Sequence, residues 1–511
     1  MRTGLNKDLI AKVLGAAPKY TIAQLEEIYP KRKLPEGAEV TRFAPSPTGF
    51  VHIGNLCSAL IDWKIARQTN GVFYLRFEDT DTKREVEGAT ELIVHTLDAF
   101  GINPDETYRQ SERKDIYHSV VAELLEQGKA YPCFMTEEEI SRVRDEQSKL
   151  GAQPGIYGDW ARDRNILPEE IEARLAKGEK PVVRLYSTAD RNEKIYCKDA
   201  VRGSMAFPQY EDDVVLIKSG DGLPTYHFAH LVDDYFIRTT AVVRGEEWLS
   251  SLPLHIQLFN IMGWEPPKYI HTSTLDTIDR ETGKQRKLSK RKDPVANVDN
   301  FYIEGYPSEA LLEYLFNIIS PGYEENKQKG KVRNISDAAL NIKKIPMSGA
   351  LFDMKKLEWW AREFIASLSV EELANRLKTW MVLCGGSLNK SQYANTKYFA
   401  DVLSIERDNP KRIRKDFITW KQTLESIAFF FAEDKAAGNS VTEEFLKVYD
   451  PNDDKDIWWN KIIGIAGQLN VKPGDVAMAL RVALSGREQT PDLYSMMTVM
   501  GSDRVKKRLK G

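Results

Sequence analysis

Two short stretches carry residue types suited to handling a nucleotide. His52-Ile53-Gly54-Asn55 stands where a loop meets a helix start. Unpaired backbone N–H groups and the positive dipole end favour anions there, and a glycine lets a phosphate approach the backbone closely. The same tetrapeptide also suits a histidine that only caps a helix. The second stretch is Lys287-Leu288-Ser289-Lys290-Arg291, in a basic run over 283–292 that also holds Lys284, Arg286 and Lys292. Two lysines flanking a serine in a mobile loop can neutralise charge developing on a triphosphate, although a basic run alone is also the pattern of a solvated face.

The elements that must position these groups are legible around them. Residues 40–44 read as a short strand, and Pro45-Ser46-Pro47-Thr48-Gly49 as a loop that two prolines stiffen. A helix is predicted from about Gly54, with Leu56, Leu60, Trp63 and Ala66 near helical spacing and Asn70-Gly71 at its end. The apolar run 72–77 suits a buried strand. Strand, helix and strand make a βαβ unit, which implies a parallel sheet with a right-handed crossover. The alternation returns with a strand over 240–245 and a helix over 252–262, and about a hundred residues of different texture between the blocks read as an insertion. That insertion holds charged helical stretches at 136–150 and 168–177 and a strand-like 182–185. The first forty residues suit one or two short helices, with Thr21 as a cap, and beyond about residue 345 the pattern is helical.

Composition narrows the class. The 511 residues carry 42% hydrophobic and 10% aromatic positions, too many for a disordered chain, and the length allows about three to five domains. With 72 Lys+Arg against 75 Asp+Glu the net charge is −3, which argues against a uniformly basic nucleic-acid binder. Positive charge nevertheless collects at 283–292, at 411–415 and at 504–508. Cys57, Cys133, Cys197 and Cys384 are too scattered for a four-thiolate zinc site and fit a reducing compartment. No apolar run approaches the roughly 20 residues needed to span a bilayer, and no secretory leader is evident, so a soluble cytoplasmic protein is expected.

In combination and order, the motifs say more. Thr41-Arg42-Phe43-Ala44-Pro45-Ser46-Pro47-Thr48-Gly49, His52-Ile53-Gly54-Asn55, Arg76-Phe77-Glu78-Asp79-Thr80-Asp81 and the loop 287–291 resemble the class I glutamyl-tRNA synthetases. The histidine-glycine element is similar to the family's HIGH signature with Asn in last place, and the lysine loop to its KMSKS element with Leu for Met and Arg for the final Ser. Tyr108-Arg109-Gln110-Ser111-Glu112-Arg113, Pro224-Thr225-Tyr226-His227-Phe228-Ala229 leading to Asp233-Asp234, and Val243-Arg244-Gly245-Glu246-Glu247 agree with the family too. The likeness is clear over about 39–320 and thinner beyond.

The resemblance implies an α/β fold: a Rossmann-like parallel-sheet catalytic domain with an inserted acceptor-binding domain and an all-α C-terminal anticodon-binding region. Its expected divisions are an N-terminal helical extension (1–38), the catalytic halves (39–118 and 214–265), the insertion (119–213), a stem-contact region (266–345) and the anticodon-binding region (346–511). It further implies ATP at His52, Gly54, Asn55, Glu247, Lys287 and Lys290, with His52, Gly54, Lys287, Ser289 and Lys290 catalytic, and L-glutamate at Arg42, Ser46, Glu78, Tyr226 and Arg244. ATP with Mg2+ and tRNA(Glu) would be its substrates and partners, and a monomer is expected. Some relatives carry a zinc knuckle in the insertion, but Tyr131-Pro132-Cys133-Phe134 offers one thiol where a pair is needed, so no structural zinc is predicted.

Bland readings stand beside these. Glu78 and Asp81 could pair with Lys83 and Arg84 on the surface, Tyr226 could be a half-buried core residue, and Trp248 suits packing better than stacking on substrate. His95, His118 and His230 are not counted as site residues. For RNA contacts, Lys411, Arg412, Arg414 and Lys415 with Phe417 and Trp420, the basic stretch 504–508, and Arg481, Arg487 and Thr490-Pro491 supply suitable types. The alternatives are a glutaminyl-tRNA synthetase, for which a Pro-Glu-Pro-Asn-Gly loop and a β-rich C-terminal half are expected, and a tRNA-independent nucleotidyltransferase.

Overall fold

Residues 3–38 hold two short helices, α1 (Lys7–Leu14) and α2 (Ile22–Ile28), and both obey their local sequence. Asn6 accepts from the Leu9 N–H and Gly15 closes α1 at φ 77°, a backbone setting that glycine adopts without strain. Thr21 and Gln24 satisfy each other's backbone N–H groups at the start of α2, as a capping box does. Leu5, Leu9, Ile10 and Leu25 are buried in one core with Tyr117, Val120, Val121 and Leu125. Arg32 grips Glu106 through two 2.7 Å bonds, and Arg238 pairs with Glu26. The segment is thus built into the core beside it. Leu25→Ala should therefore cost about 3 kcal/mol, read as a lower urea midpoint; an unmoved midpoint would mean that this packing contributes nothing to stability.

The computed structural model describes residues 3–81, 83–279, 281–289, 291–386, 388, 393–407, 409 and 413–510. It divides into two units, 1–298 with 315–352 and 299–314 with 353–511. Among the described residues no helix is long and apolar enough to cross a membrane.

In the first unit the chain runs β1 (Val40–Phe43), α3 (Ile53–Gln68), β2 (Val72–Phe77), α4 (Ala89–Ala99), β3 (Glu106–Arg109) and α5 (Lys114–Glu126). β1 pairs in parallel with β2, and β2 with β3, the βαβ arrangement that the sequence pattern predicts. All four residues of β1 are buried, as suits a strand covered on both faces. Asn70, at φ 53°, turns the chain from α3 into β2.

Next come β4 (Ala130–Cys133), α6 (Glu137–Lys149), α7 (Pro168–Ala176), β5 (Val182–Leu185), β6 (Lys194–Asp199), β7 (Gly203–Pro208) and β8 (Val215–Ile217). β4, β5 and β8 form their own antiparallel sheet, in which Cys133 is buried. The hairpin β6–β7 belongs instead to another sheet. α8 (Tyr226–Phe236), β9 (Ala241–Gly245), α9 (Leu252–Met262) and β10 (Lys268–Thr272) complete that sheet, with β10 parallel to both β9 and β6. β1 runs beside β9: the Thr240 N–H donates to the Val40 carbonyl at 2.9 Å, and Arg42 Nη1 to that of Val243 at 3.0 Å. β1 and β9 thus meet at a seam between two sheets, β1-β2-β3 and β7-β6-β10-β9. In α/β folds ligands lodge beyond the carboxyl ends of such strands. A small sheet of β11 (Leu275–Ile278), β12 (Gln285–Lys287) and β13 (Ala350–Leu351) carries the lysine loop.

The second unit has no strand among its described residues. Its helices, from Met354–Ser367 to Ser502–Leu509, close on a core that includes Leu377, Phe399, Phe430, Phe445, Ile462 and Leu480.

Candidate active site

A cavity of about 480 Å3 opens beyond the carboxyl ends of β1 and β9. Ten of the residues singled out by sequence line it: Arg42, Ser46, His52, Gly54, Asn55, Glu78, Tyr226, Arg244, Glu247 and Lys287. Ser289 lies outside its wall, and Lys290 falls outside the described residues.

One end of the cavity is the start of α3. His52 is the N-cap residue, and its Nδ1 accepts from the Gly54 N–H at 3.0 Å, so the capping reading of this histidine holds alongside its place in the wall. A Cβ on Gly54 would sit 3.1 Å from that nitrogen, too close without a shift of the ring. The loop before it is pinned to β2, with the Glu78 N–H donating to the Pro45 carbonyl at 3.0 Å.

The lysine loop faces this end. Lys287 Nζ reaches Glu247 Oε1 at 2.9 Å, so two residues expected to meet the nucleotide neutralise each other here. Arg286 has another job: its guanidinium bonds Asp279 and Asp293 at 2.7–2.9 Å. The Ser289 N–H also donates to Asp293, at 2.8 Å, which fixes the loop's turn.

The opposite end is a buried array of charge. Arg76, fully buried, donates to Asp234 at 2.6 Å and to Glu78 at 3.0 Å. Glu78 therefore pairs inward and not with Lys83 or Arg84, whereas Asp81 does sit 3.9 Å from Arg84 at the surface. Burial pushes the Glu78 carboxyl above its usual range despite Arg76 and Arg42. Arg42 lies 3.7 Å from Asp234 and leaves its Nε without a hydrogen-bond partner. Tyr226, at the first turn of α8, accepts from Arg244 Nη1 at 3.3 Å and packs on Trp248, with ring centroids 4.6 Å apart. Trp248 lines the cavity as well.

Sequence reasoning missed three polar residues here. Asp62, on α3, lines the cavity while only 1% exposed, and burial raises its carboxyl well above the usual range. His255 and His271 are fully buried and accept hydrogen bonds from Arg244. Each is flanked in sequence by apolar residues, Asp62 by Ile61 and Trp63, His255 by Leu254 and Ile256 and His271 by Ile270, and that was the available signal.

The second unit alters the expected RNA contacts. Arg504 and Arg508 turn inward onto Asp434, leaving Lys506 and Lys507 as the exposed charges of that stretch. Phe417 and Trp420 are buried, Arg414 pairs with Asp416 and Lys415 with Glu363. Arg481 Nη1 holds the turn at Thr490 and Pro491, and Arg487 Nη2 donates to the Glu425 carbonyl at 2.7 Å. Lys411 and Arg412 lie outside the described residues.

The chain is similar in sequence and fold to known proteins. Residues 39–359 match the family described as tRNA synthetases class I (E and Q), catalytic domain, and residues 372–511 match an anticodon binding domain. A glutamate--tRNA ligase of Clostridium perfringens (strain SM101 / Type A) is 39% identical, the alignment covering 98% of both chains, and one of Sorangium cellulosum (strain So ce56) is 36% identical over 95% of this chain and 96% of its own. The crystal structure of a glutamate tRNA ligase from Elizabethkingia meningosepticum superposes with a TM-score of 0.75 at 27% identity, covering 92% of this chain and 98% of that one. The chain belongs to the class I tRNA synthetases of the glutamate and glutamine branch, within the glutamate--tRNA ligase family.

Proposed function

We propose that the protein joins L-glutamate to tRNA(Glu) through glutamyl-adenylate, releasing pyrophosphate and AMP. The observation that carries this reading is one cavity with an anion-seeking helix start at one end and Arg42, Glu78, Tyr226 and Arg244 at the other. ATP lies along the start of α3 against His52, Gly54 and Asn55, with Glu247 and Lys287 at its flank. The amino acid takes the seam end: arginines answer its two carboxylates, Glu78 its ammonium, and Ser46 lies close by. The α-carboxylate then attacks the α-phosphate, and catalysis consists of positioning and of charge stabilisation by Lys287 and Lys290, so no protein nucleophile is needed. A hydroxyl of the terminal adenosine of the tRNA takes the glutamyl group in the second step.

Mg2+ fits as a companion of the triphosphate. Among the described residues no group of three or more His, Cys, Asp or Glu is set to hold a metal, and Mg2+ is commonly carried by substrate phosphates. We assign the part of 119–213 outside the hairpin β6–β7 to the acceptor end of the tRNA, 346–511 to the anticodon and a monomeric, cytoplasmic state to the whole. The loop Pro45-Ser46-Pro47-Thr48-Gly49 and the helical second unit, without a strand among its described residues, both favour glutamate over the glutaminyl alternative.

Amino-acid-dependent exchange of pyrophosphate into ATP, with and without tRNA, tests the reading. Exchange with glutamine and none with glutamate would overturn the substrate assignment, and no exchange with any amino acid would leave a binding module. Charging assays on purified tRNA(Glu) and tRNA(Gln) settle the tRNA range. Lys287→Ala should slow exchange by about a hundredfold while leaving tRNA affinity within about twofold; an unaltered exchange rate would remove Lys287 from the site.

A further inference from the structure

Four of the protein's seven histidines, His227, His230, His255 and His271, gather behind the amino-acid end of the cavity. Two of them face Arg244. Its Nε donates to His271 Nε2 at 2.9 Å, and its Nη1 lies 3.0 Å from His255 Nδ1. A guanidinium can only donate, so both imidazole nitrogens must accept, and both rings are neutral. The remaining protons are then fixed. His271 Nδ1–H donates to Asp199 Oδ2 at 2.8 Å, and His255 Nε2–H donates to His227 Nδ1 at 2.9 Å. Burial, together with neighbouring positive charge, pushes the His255 imidazole well below its usual range and that of His227 to about 4.

The choice of neutral acceptors has an electrostatic consequence. Arg76 and Arg42 are answered by Asp234, but among the described residues Arg244 forms no ion pair with a carboxylate. Its hydrogen bonds are met on two sides while its full positive charge is kept. The third terminus, Nη2, is buried and has no hydrogen-bond partner. A buried cation left in that state favours an anionic ligand far more than a neutral isostere of the same shape.

We propose that His255 and His271 are positioning residues that set specificity: by holding Arg244 through neutral acceptors they leave its charge and Nη2 for a carboxylate of the substrate, so that an acid is taken and its amide refused. This rests on the assignment of Arg244 to the amino-acid pocket.

Isosteric pairs test it in the full-length enzyme, with pyrophosphate exchange in the presence of tRNA as the readout. His255→Asn keeps a neutral acceptor near the Nδ1 position, and His255→Asp puts a charged one there at the same volume. The Asp variant should show a KM for glutamate about tenfold or more above that of the Asn variant, an ATP KM within about twofold, and a smaller preference for glutamate over glutamine. His271→Gln and His271→Glu form a second pair at the Nε2 position with the same expectation, and decide the matter should the first pair fail to fold. A packing role would move both members of a pair alike, and equal KM values for glutamate within each pair would overturn the proposal. Arg244→Gln separates the two ideas. If it leaves glutamate activation intact, the pocket assignment itself fails; if it abolishes activation while the charged and neutral histidine variants match, only the role of the histidines fails.

Discussion

Arg244→Gln is expected to lower kcat/KM for glutamate by about three orders of magnitude while leaving the KM for ATP within about threefold. A site built to hydrogen-bond a charged group loses both the bond and the electrostatic attraction when the donor is removed, and discriminations of 10⁴ or more are attainable where buried partners are left unpaired. Glutamine can still donate one bond to His255 or His271, so the wall is not emptied, and the loss falls on the ligand. Arg42 and Tyr226 remain, so weak binding persists at high glutamate concentration and the effect appears first in KM. Exchange assays across a glutamate series in the presence of tRNA measure it. A fall smaller than tenfold would show that Arg42, and not Arg244, carries the carboxylate.

Asp234→Asn is the change expected to cost most in stability. Asp234 is 1% exposed and meets Arg76 at 2.6 Å, His230 Nδ1 at 3.0 Å and Arg42 at 3.7 Å. Burial alone would raise its carboxyl, but Arg76, His230 and Arg42 hold it well below the usual range. Removing its charge at constant volume leaves two buried guanidiniums, Arg76 beside Glu78 and Asp233 and Arg42 beside Asp62, and breaking such a pair costs about 3–5 kcal/mol. Urea denaturation should show this as a lower midpoint, and a loss under 1 kcal/mol would mean that the other carboxyls neutralise the cluster without Asp234. The pH dependence has a definite sign. A depressed carboxyl contributes fully above the unfolded value near 4 and fades only as pH falls toward the lower folded value. The histidines respond earlier. His227 and His230 are both lowered to about 4 by burial, so below about 6.5 the unfolded chain takes up protons that the folded chain refuses. Each should remove about 1 kcal/mol between pH 7 and 5.5, and acid weakening therefore starts at the histidines, not at Asp234.

The parts of the site that were legible in sequence lie where local rules are strict. The apolar run 72–77, bounded by Asn70-Gly71, could hardly be anything but a buried strand, and β2 has those bounds. Arg42, Glu78 and Arg244 sit at or just beyond strand ends in motifs whose order is itself informative. The pairing of side chains across the fold was not legible. Nothing near Arg504 or Arg508 in sequence indicates that Asp434, some seventy positions earlier, turns them inward, and a basic stretch that suited RNA proves partly structural. His255 and His271 come from α9 and β10, and only the packing of helix on sheet sets both against Arg244. The hairpin β6–β7 read as part of the insertion because its link to β10 is one register pair, Asp199 with Tyr269, seventy positions apart.

The seam between β1 and β9 also sets a schedule for the newborn chain. Arg42 and Arg244 line one cavity, yet 244 − 42 = 202 positions separate them. At about 5–20 residues per second a ribosome needs roughly 10 to 40 s to deliver the second after the first. During that interval β1 has β2 and β3 on one side and an unprotected edge on the other, because β9 does not yet exist. The sheet of β4, β5 and β8 is complete by residue 217 and can close before the seam does. Catalytic competence is therefore a late event in the life of each molecule, and the exposed edge of β1 is the place where a nascent-chain chaperone would act, or where premature pairing with another chain would begin.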